Sequence, residues 1–525
     1  MYIESVENKG CDLVKNDQIA VIDIGSNTIR LVLYKYDVKR GLKEIENIKV
    51  VARLRNYLLA NGQLSNDGIE KLLNVLDTFK MMLHDYGITN VLATATAAVR
   101  QATNGPHILM KIKKEIGIDI RLLSEEREAF YGYLAVVYSL STPSAVTIDM
   151  GGGSTEVTLY KDKELMYSYS FPFGSVSLKQ QFMKDDTLSS EERNSIYQFA
   201  KEQFSSLKWL QGISLPVIGI GGSARNMAKI DQHKKGYPIS GIHQYKMKKE
   251  DFDEIRVKIA GLSYEELKQL DGLSSDRADI IAPVLEVFQA LMDVVESPIF
   301  QFSRKGLREG LVIEKIIKEN PKAFDKHHVS EYNVKFLAEE FGKSKENNEY
   351  FTSLCEKVYQ EFCRFSILQF SNESLAMLKQ AAKLFYLGEY IEADSASQHT
   401  FYLLSNRSID GLNHKDRIRL ALLASYKNKE DFRRYAAPFL SWFTKDELKQ
   451  IQGLGSLLKF VYALNASKRK IVKDVVIRRN AQIIDVFIYT KGSALAEIYK
   501  VNRQKKHIDK LFIEDVNLHF IEGEG

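Results

Sequence analysis

The sequence predicts an α/β fold made of a duplicated domain with a cleft between its halves, followed by an all-helical region and a small α/β module. Three observations lead there. Ala20-Val-Ile-Asp-Ile-Gly-Ser-Asn-Thr28 is nearly repeated 126 residues on as Val146-Thr-Ile-Asp-Met-Gly-Gly-Gly-Ser-Thr155; strand and helix periods alternate through the first half; and strand signals fade after about Lys318, to return from Ile471. Each repeat is an apolar, β-branched run closing on an aspartate, then glycines, then hydroxyl side chains. The run reads as a buried strand. The glycines allow a tight turn whose free N–H groups can approach an anion closely, which suits phosphate.

In chain order, Ile19 to Tyr36 reads as a hairpin, Asp67 to Tyr86 as an amphipathic helix and Asn90 to Ala95 as a strand. A helix starting at Ala97 is interrupted by Asn104-Gly-Pro106. Ile118 to Leu123 is a further strand, and a long helix runs from Glu125 to about Ser139. After the break at Ser141-Thr-Pro-Ser144 the second copy begins. It has a hairpin from Val146 that returns through Glu156 to Tyr160, a helix from Glu191 to Leu210 and a strand from Pro216 to Ile220. A Gly221-Gly-Ser223 turn then opens a helix, and another helix runs from Ser275 to Val295. Such an architecture places a ligand at the strand ends. Helical periods at Asn333 to Phe341 and Leu375 to Phe385 mark the all-helical part. Strands at Val475 to Ile477 and Ile483 to Tyr489 and a helix at Ser493 to Arg503 close the chain. The expected divisions are 1–135 and 136–315 for the two lobes, 316–440 for the helical domain and 441–525 for the last module.

At 525 residues the chain exceeds one core, and its 45% hydrophobic and 27% charged content is that of a soluble globular protein. Polar and acidic residues are scattered through Met1 to Gln18 and no apolar run approaches a membrane span, so a cytoplasmic protein without membrane contact is expected. Cys11, Cys355 and Cys363 show no metal-ligand spacing. The net charge of +5 is uneven: Ser467 to Lys510 carries twelve Lys/Arg against four acids, a surface that attracts polyanions. The basic residues are Lys468, Arg469, Lys470, Lys473, Arg478, Arg479, Lys491, Lys500, Arg503, Lys505, Lys506 and Lys510.

Asp23 and Asp149, ending the two strands, have the wrong charge to touch phosphate. A bridging hard cation accounts for them, and magnesium fits best because it binds through one or two carboxylates plus substrate oxygens. Arg100, following a strand in Ala93-Thr-Ala-Thr-Ala-Ala-Val-Arg-Gln101, can reach a phosphate bidentately. Leu123-Ser-Glu-Glu-Arg-Glu-Ala129 puts three carboxylates in a first helical turn, and Gly219-Ile-Gly-Gly-Ser-Ala-Arg225 is a third glycine-rich turn.

In this order and spacing the segments, with Arg277-Ala-Asp279, Pro283 and Leu307-Arg-Glu-Gly310, resemble the exopolyphosphatase/guanosine pentaphosphate phosphatase (Ppx/GppA) family of the actin-like ATPase superfamily, over roughly residues 18 to 312. The resemblance implies actin-like, ribonuclease H-like lobes. It implies Glu128 as general base for a water attacking a terminal phosphoryl group, with Arg100 as a clamp. It also implies phosphate binding by Gly25, Ser26 and Asn27 and by Gly151, Gly152, Gly153 and Ser154. Gly221, Gly222, Ser223 and Arg277 complete the substrate site, and Asp23, Asp149 and Glu156 position magnesium. Relatives with a long C-terminal extension carry a helical domain resembling the HD phosphohydrolases, whose metal site needs a His-Asp pair. Phe385-Tyr386 occupy that place here, so the domain should be catalytically silent and His399 and His414 structural.

The expected function is an exopolyphosphatase acting on inorganic polyphosphate, the basic module serving as a track. The alternative is a guanosine pentaphosphate 5'-phosphohydrolase, and an actin-like kinase is less favoured. Magnesium is the expected cofactor and a homodimer the expected assembly, with no nucleic acid partner.

Overall fold

The computed structural model describes residues 18–37, 41–185, 187–480, 483–508 and 515–523, so Cys11 and Lys510 lie outside the described residues, as do the side chains of Lys505 and Lys506. The chain divides into two compact units. One joins Met1–Val137, Pro143–Asp231 and Lys246–Ala323; the other joins Tyr138–Thr142, Gln232–Tyr245 and Phe324–Gly525.

The first unit holds two sheets of one plan. β1 (Gln18–Ile24) and β2 (Thr28–Asp37) form a hairpin extended by β3 (Gly41–Val51). After α1 (Asn66–Asp85), β4 (Val91–Ala95), α2 (Ala97–Arg100), α3 (Gly105–Glu115) and β5 (Ile120–Leu122), the order is β3-β2-β1-β4-β5. α4 (Glu125–Val137) leads to β6 (Ala145–Met150), β7 (Thr155–Lys161) and β8 (Glu164–Phe171). Then come α5 (Ser175–Phe182), α6 (Ser190–Ser205), β9 (Val217–Ile220), α7 (Gly221–Lys234), β10 (Lys246–Lys248), α8 (Lys249–Ala260), α9 (Tyr264–Gln269), α10 (Ile281–Val295), β11 (Ile299–Phe302) and α11 (Leu307–Glu319). The second sheet runs β10-β11-β9-β6-β7-β8. β1 to β5 thus correspond to β6, β7, β8, β9 and β11: in each set two successive antiparallel ladders extend the sheet on one side of the central strand and two successive parallel ladders extend it on the other. The duplication seen in two short segments extends through the sheets.

β1 forms because its residues Ala20, Val21, Ile22 and Ile24 are completely buried, as suits a central strand covered on both faces. α1 is capped by Ser65, which accepts from the Gly68 N–H (3.3 Å), and buries Ile69, Leu72, Leu76, Phe79 and Leu83 at helical spacing. Several expectations need correction. Asn104-Gly-Pro106 begins α3 rather than interrupting a helix, Pro106 falling in the first turn where its missing N–H costs nothing. Gly221 and Gly222 are the first residues of α7 itself. The helix expected from Glu191 to Leu210 ends at Ser205, and the one expected from Ser275 starts at Ile281 after a 3-10 turn.

In the second unit α12 (Val329–Glu340), α13 (Lys345–Arg364), α14 (Asn372–Lys383), α15 (Ala396–Asn406), α16 (His414–Ala424), α17 (Lys429–Ala436) and α18 (Lys445–Leu464) share one core with the inner face of a sheet of β12 (Val472–Asn480), β13 (Ile483–Lys491) and β14 (Asp515–Gly523). α19 (Leu495–Ile508) packs there as well. Phe385 is buried and stacks on Tyr386 at 4.3 Å. His414 is a satisfied core residue, bonded to the Tyr237 hydroxyl (2.9 Å) and the His243 carbonyl (3.0 Å), and burial pushes its pKa down to about 3. No helix among the described residues is long and apolar enough to cross a membrane.

Candidate active site

The two repeated hairpins set their loops face to face. Gly25 N–H donates to the Thr28 carbonyl (3.0 Å) and Gly151 N–H to that of Ser154 (3.0 Å), so each loop closes the same way. Among the described residues the amides of Ser26, Asn27, Gly152 and Gly153 have no hydrogen-bond partner, which leaves four donors for a ligand. The second loop is braced from behind by the start of α5: Ser175 and Val176 amides donate to the Gly151 and Gly152 carbonyls (2.9 and 3.1 Å). Gly174 is obligatory there, since a Cβ would stand 2.6 Å from the backbone of Gly152 and Gly153. The loops meet closely, as a Cβ on Gly152 would stand 3.0 Å from Ser26 Cβ. Beside them lies a cleft of about 590 Å³, lined by Ser26, Asn27, Arg55, Lys179, Asp276 and Asp279 among others.

Strand register shows where the two copies have diverged. Asp23 lies directly opposite Arg30, and Asp149 directly opposite Glu156, at the same spacing. An acid faces a base in one lobe and another acid in the other. Like charges directly opposite one another are destabilising unless a proton or a cation intervenes. Glu156 is buried and accepts from Ser170 Oγ (2.8 Å); burial, then Glu128 and Asp149, raise its pKa well above the carboxylate range. Burial and the nearby Asp23 push Asp149 up to about 6, and burial raises Asp23 against the pull of Arg308.

Glu128, in the first turn of α4, is brought to the same place. Burial pushes it up to about 7, with Arg100 opposing and Asp149 and Asp23 adding to the rise. Arg100, the last residue of the short α2, donates through Nη1 to Glu128 Oε2 (3.0 Å) and to the Leu123 carbonyl (3.0 Å). Its Nη2 lies 3.6 Å from Glu125. Glu126 is exposed at the edge of the site, its pKa lowered by its own N–H and by Ser124.

Opposite these carboxylates stands a guanidinium group that sequence reasoning mostly missed. Arg308, from α11, lies 3.4 Å from Asp23 Oδ2. Arg277 donates to Ser223 Oγ (3.2 Å) and lies flat on Gly222, where a Cβ would come within 2.2 Å of it. Burial brings Arg30 down to about 10, helped by Arg308 and Arg225, so these positive charges crowd one another. Arg225 is likewise lowered, by burial and then by Arg308. Buried cations in mutual repulsion mark a place for an anion. The register equivalence of Arg30 with Glu156 was the available signal; Arg225 and Arg308 stood in quoted segments without a role. Gly221, at φ +85°, would put a Cβ 2.9 Å from Asp149 Oδ1. Glycine at the start of α7 therefore lets the backbone approach that carboxylate.

Of the residues expected in the site, Ser26 and Asn27 line the cleft, while Asp23, Glu128, Asp149 and Glu156 are electrostatic neighbours around the strand ends that lead into the two loops. As for a cation, no group of three or more His, Cys, Asp or Glu among the described residues is gathered to hold a metal alone. The facing Asp149 and Glu156 fit a hard ion bound by one or two carboxylates and completed by oxygens of a ligand. Asp23, paired with Arg308, is less free for it.

Residues 32–319 match the model of the Ppx/GppA phosphatase family, and residues 329–507 that of domain III of the Ppx/GppA phosphatases. Exopolyphosphatase 1 of Mycobacterium tuberculosis is 26% identical over 319 residues, covering 58% of this chain and 89% of the relative. The guanosine-5'-triphosphate,3'-diphosphate pyrophosphatase of Pseudoalteromonas translucida is 24% identical over 410 residues, covering 76% of this chain and 78% of the relative. Among solved structures, the Aquifex aeolicus Ppx/GppA family member is 27% identical with a TM-score of 0.52, covering 58% of this chain and 98% of that one. An exopolyphosphatase from Cytophaga hutchinsonii shares the fold at 22% identity and a TM-score of 0.53, over 57% of this chain and 98% of that one. With two actin-like lobes around the cleft and a family match across more than half its length, the chain belongs to the Ppx/GppA phosphatase family.

Proposed function

We propose that this protein is an exopolyphosphatase, releasing the terminal phosphate of inorganic polyphosphate by in-line attack of a water that Glu128 activates. The observation that carries this reading is the combination of four unpartnered loop amides with a largely buried carboxylate that interacts with Asp23 and Asp149, at the ends of the strands leading into those loops, and whose pKa stands near 7, the value at which a base works best at neutral pH. Arg100 occupies Glu128 Oε2, which leaves Oε1 to take the proton from water. The loop amides of Ser26, Asn27, Gly152 and Gly153 hold the phosphoryl oxygens while the water oxygen bonds to phosphorus and the bridging oxygen departs with the shortened chain. Catalysis is then mainly positioning and charge stabilisation. Asp149 and Glu156, with Asp23 through water, are the residues that would hold magnesium, which when bound neutralises charge on phosphate oxygens. Exposed Lys468, Arg469 and Arg478 support a polyphosphate track on the last module. A cytoplasmic homodimer belongs to the same proposal, on the strength of the family resemblance.

Replacing Glu128 by Gln tests this: turnover should fall by about 10² or more with polyphosphate binding retained. Near-normal turnover would move the role to Glu125 or Glu126. A second reading, hydrolysis of guanosine pentaphosphate, is favoured by two observations. The relatives named for that nucleotide match over more of this chain, and Arg30, Arg225, Arg277 and Arg308 form a second cationic pole for another phosphate group.

A further inference from the structure

Arg100 is the guanidinium that the family resemblance assigns to the phosphate, yet its charge is already countered: Nη1 donates to Glu128 and to the Leu123 carbonyl, and Nη2, which with Nε makes no hydrogen bond, lies 3.6 Å from Glu125. A second guanidinium stands against the loops themselves. Arg55 lies in the 3-10 turn Leu54–Tyr57, which the first loop itself holds in place: the Arg55 amide donates to the Ser26 carbonyl (3.2 Å), and the Ala52 and Arg53 amides to that of Asn27 (3.1 and 2.9 Å). From there the side chain reaches the second loop. A Cβ built on Gly153 would fall 2.6 Å from Arg55 Nη1 and 3.5 Å from Ser26 Oγ. The guanidinium therefore sits where the unpartnered amides of both loops converge, on the wall of the cleft.

Its partners are unusual for a half-buried cation. Nη1 donates to the neutral Gln101 Oε1 (2.7 Å), and Nε is buried with no partner. Among the described residues no carboxylate lies within ion-pair distance of Arg55, whereas Arg100 has Glu128 and Arg308 has Asp23. Burial alone lowers its pKa, with no acid offsetting it. Arg55 is half-buried, so the cost falls on the buried Nε edge of a cation that has no counter-ion. An anionic ligand in the cleft would complete this environment.

We propose that Arg55, rather than Arg100, is the guanidinium that grips the phosphoryl group held between the two loops, and that Arg100 serves chiefly to hold Glu128. This rests on the reading of the cleft as a phosphoryl-transfer site. Gln101 orients the fork, and the free edge of Arg55 takes two phosphate oxygens, the geometry for which Arg is suited and Lys is not.

Calorimetric titration of the full-length protein with inorganic tripolyphosphate, in EDTA to withhold the cation, tests it. Arg55→Gln, which removes the charge but can keep the contact with Gln101, should weaken binding by about tenfold or more, the scale of a charge-assisted hydrogen bond. Arg55→Lys should weaken it by about threefold, while Arg100→Gln should leave it within about twofold. Wild-type affinity in Arg55→Gln, or a tenfold loss in Arg100→Gln instead, would overturn the assignment. If thermal melting shows Arg55→Gln unfolded, Arg55→Lys decides, and unchanged affinity there counts against the proposal. Absence of any tripolyphosphate binding by the wild type would bring down the underlying reading of the cleft itself.

Discussion

Removing Arg100 should displace the pH profile in a calculable direction. Glu128 must be ionised to accept a proton, and its pKa stands at about 7 because burial outweighs the Arg100 contact at 3.0 Å. Arg100 is the leading influence holding that value down, so Arg100→Gln lets it rise. A charge partner at this range shifts a carboxyl by about one to three units. A shift of one unit lowers the ionised fraction at pH 7 from about one half to about one tenth, and the alkaline plateau is untouched. The assay is kcat for phosphate release from polyphosphate between pH 5.5 and 9.5, wild type against Arg100→Gln at one magnesium concentration. The readout is the separation of the two acid limbs, because a bound cation lowers both. A uniform loss at every pH, with no displacement, would refute the assignment of Arg100 to Glu128.

The same carboxylates make stability depend on pH in the direction opposite to most acid groups. Glu128 and Asp149 have folded pKa values raised to about 7 and about 6, so the folded state binds protons more tightly and stability is lost as pH rises from about 4 through 7. In EDTA the melting temperature should therefore fall between pH 5 and 7.5, and magnesium should raise it at pH 7.5 far more than at pH 5; equal effects at both would contradict the account. Gly174→Ala should cost on the order of 1–3 kcal/mol in denaturant unfolding, because its Cβ meets fixed backbone at 2.6 Å, whereas Gly261→Ala, whose nearest neighbour is 3.7 Å away, should change little. Neutralising Lys468, Arg469, Arg478 and Arg479 together should reduce activity on long polyphosphate far more than on short chains; equal losses would remove the track.

How much of this was legible in the sequence varied with the physics. The hairpins around Asp23 and Asp149 were plain because a buried β-branched strand ending in Asp-x-Gly has few other readings. β3 and β8 were not. They are outer strands of the hairpin arms, and β8 leaves Met166, Tyr167 and Tyr169 exposed, so no clean alternation marks it. Glu128 emerged through the family resemblance, but its pairing with Arg100 needed the turn of α2 and the start of α4 in one place. The exchange of Arg30 for Glu156 was visible once the two copies were set in register at their aspartates. Arg55 carried no signal, since it occupies an irregular turn whose significance comes from backbone bonds to Ser26 and Asn27.

The most direct test of the central claim is phosphate release by the purified protein with magnesium, comparing long-chain polyphosphate, guanosine pentaphosphate and ATP at matched terminal-group concentration. An exopolyphosphatase releases phosphate fastest from the polymer, and Glu128→Gln lowers that release by about 10² or more. Preference for the nucleotide would contradict the assignment and make the Arg30, Arg225, Arg277 and Arg308 group the determinant of substrate.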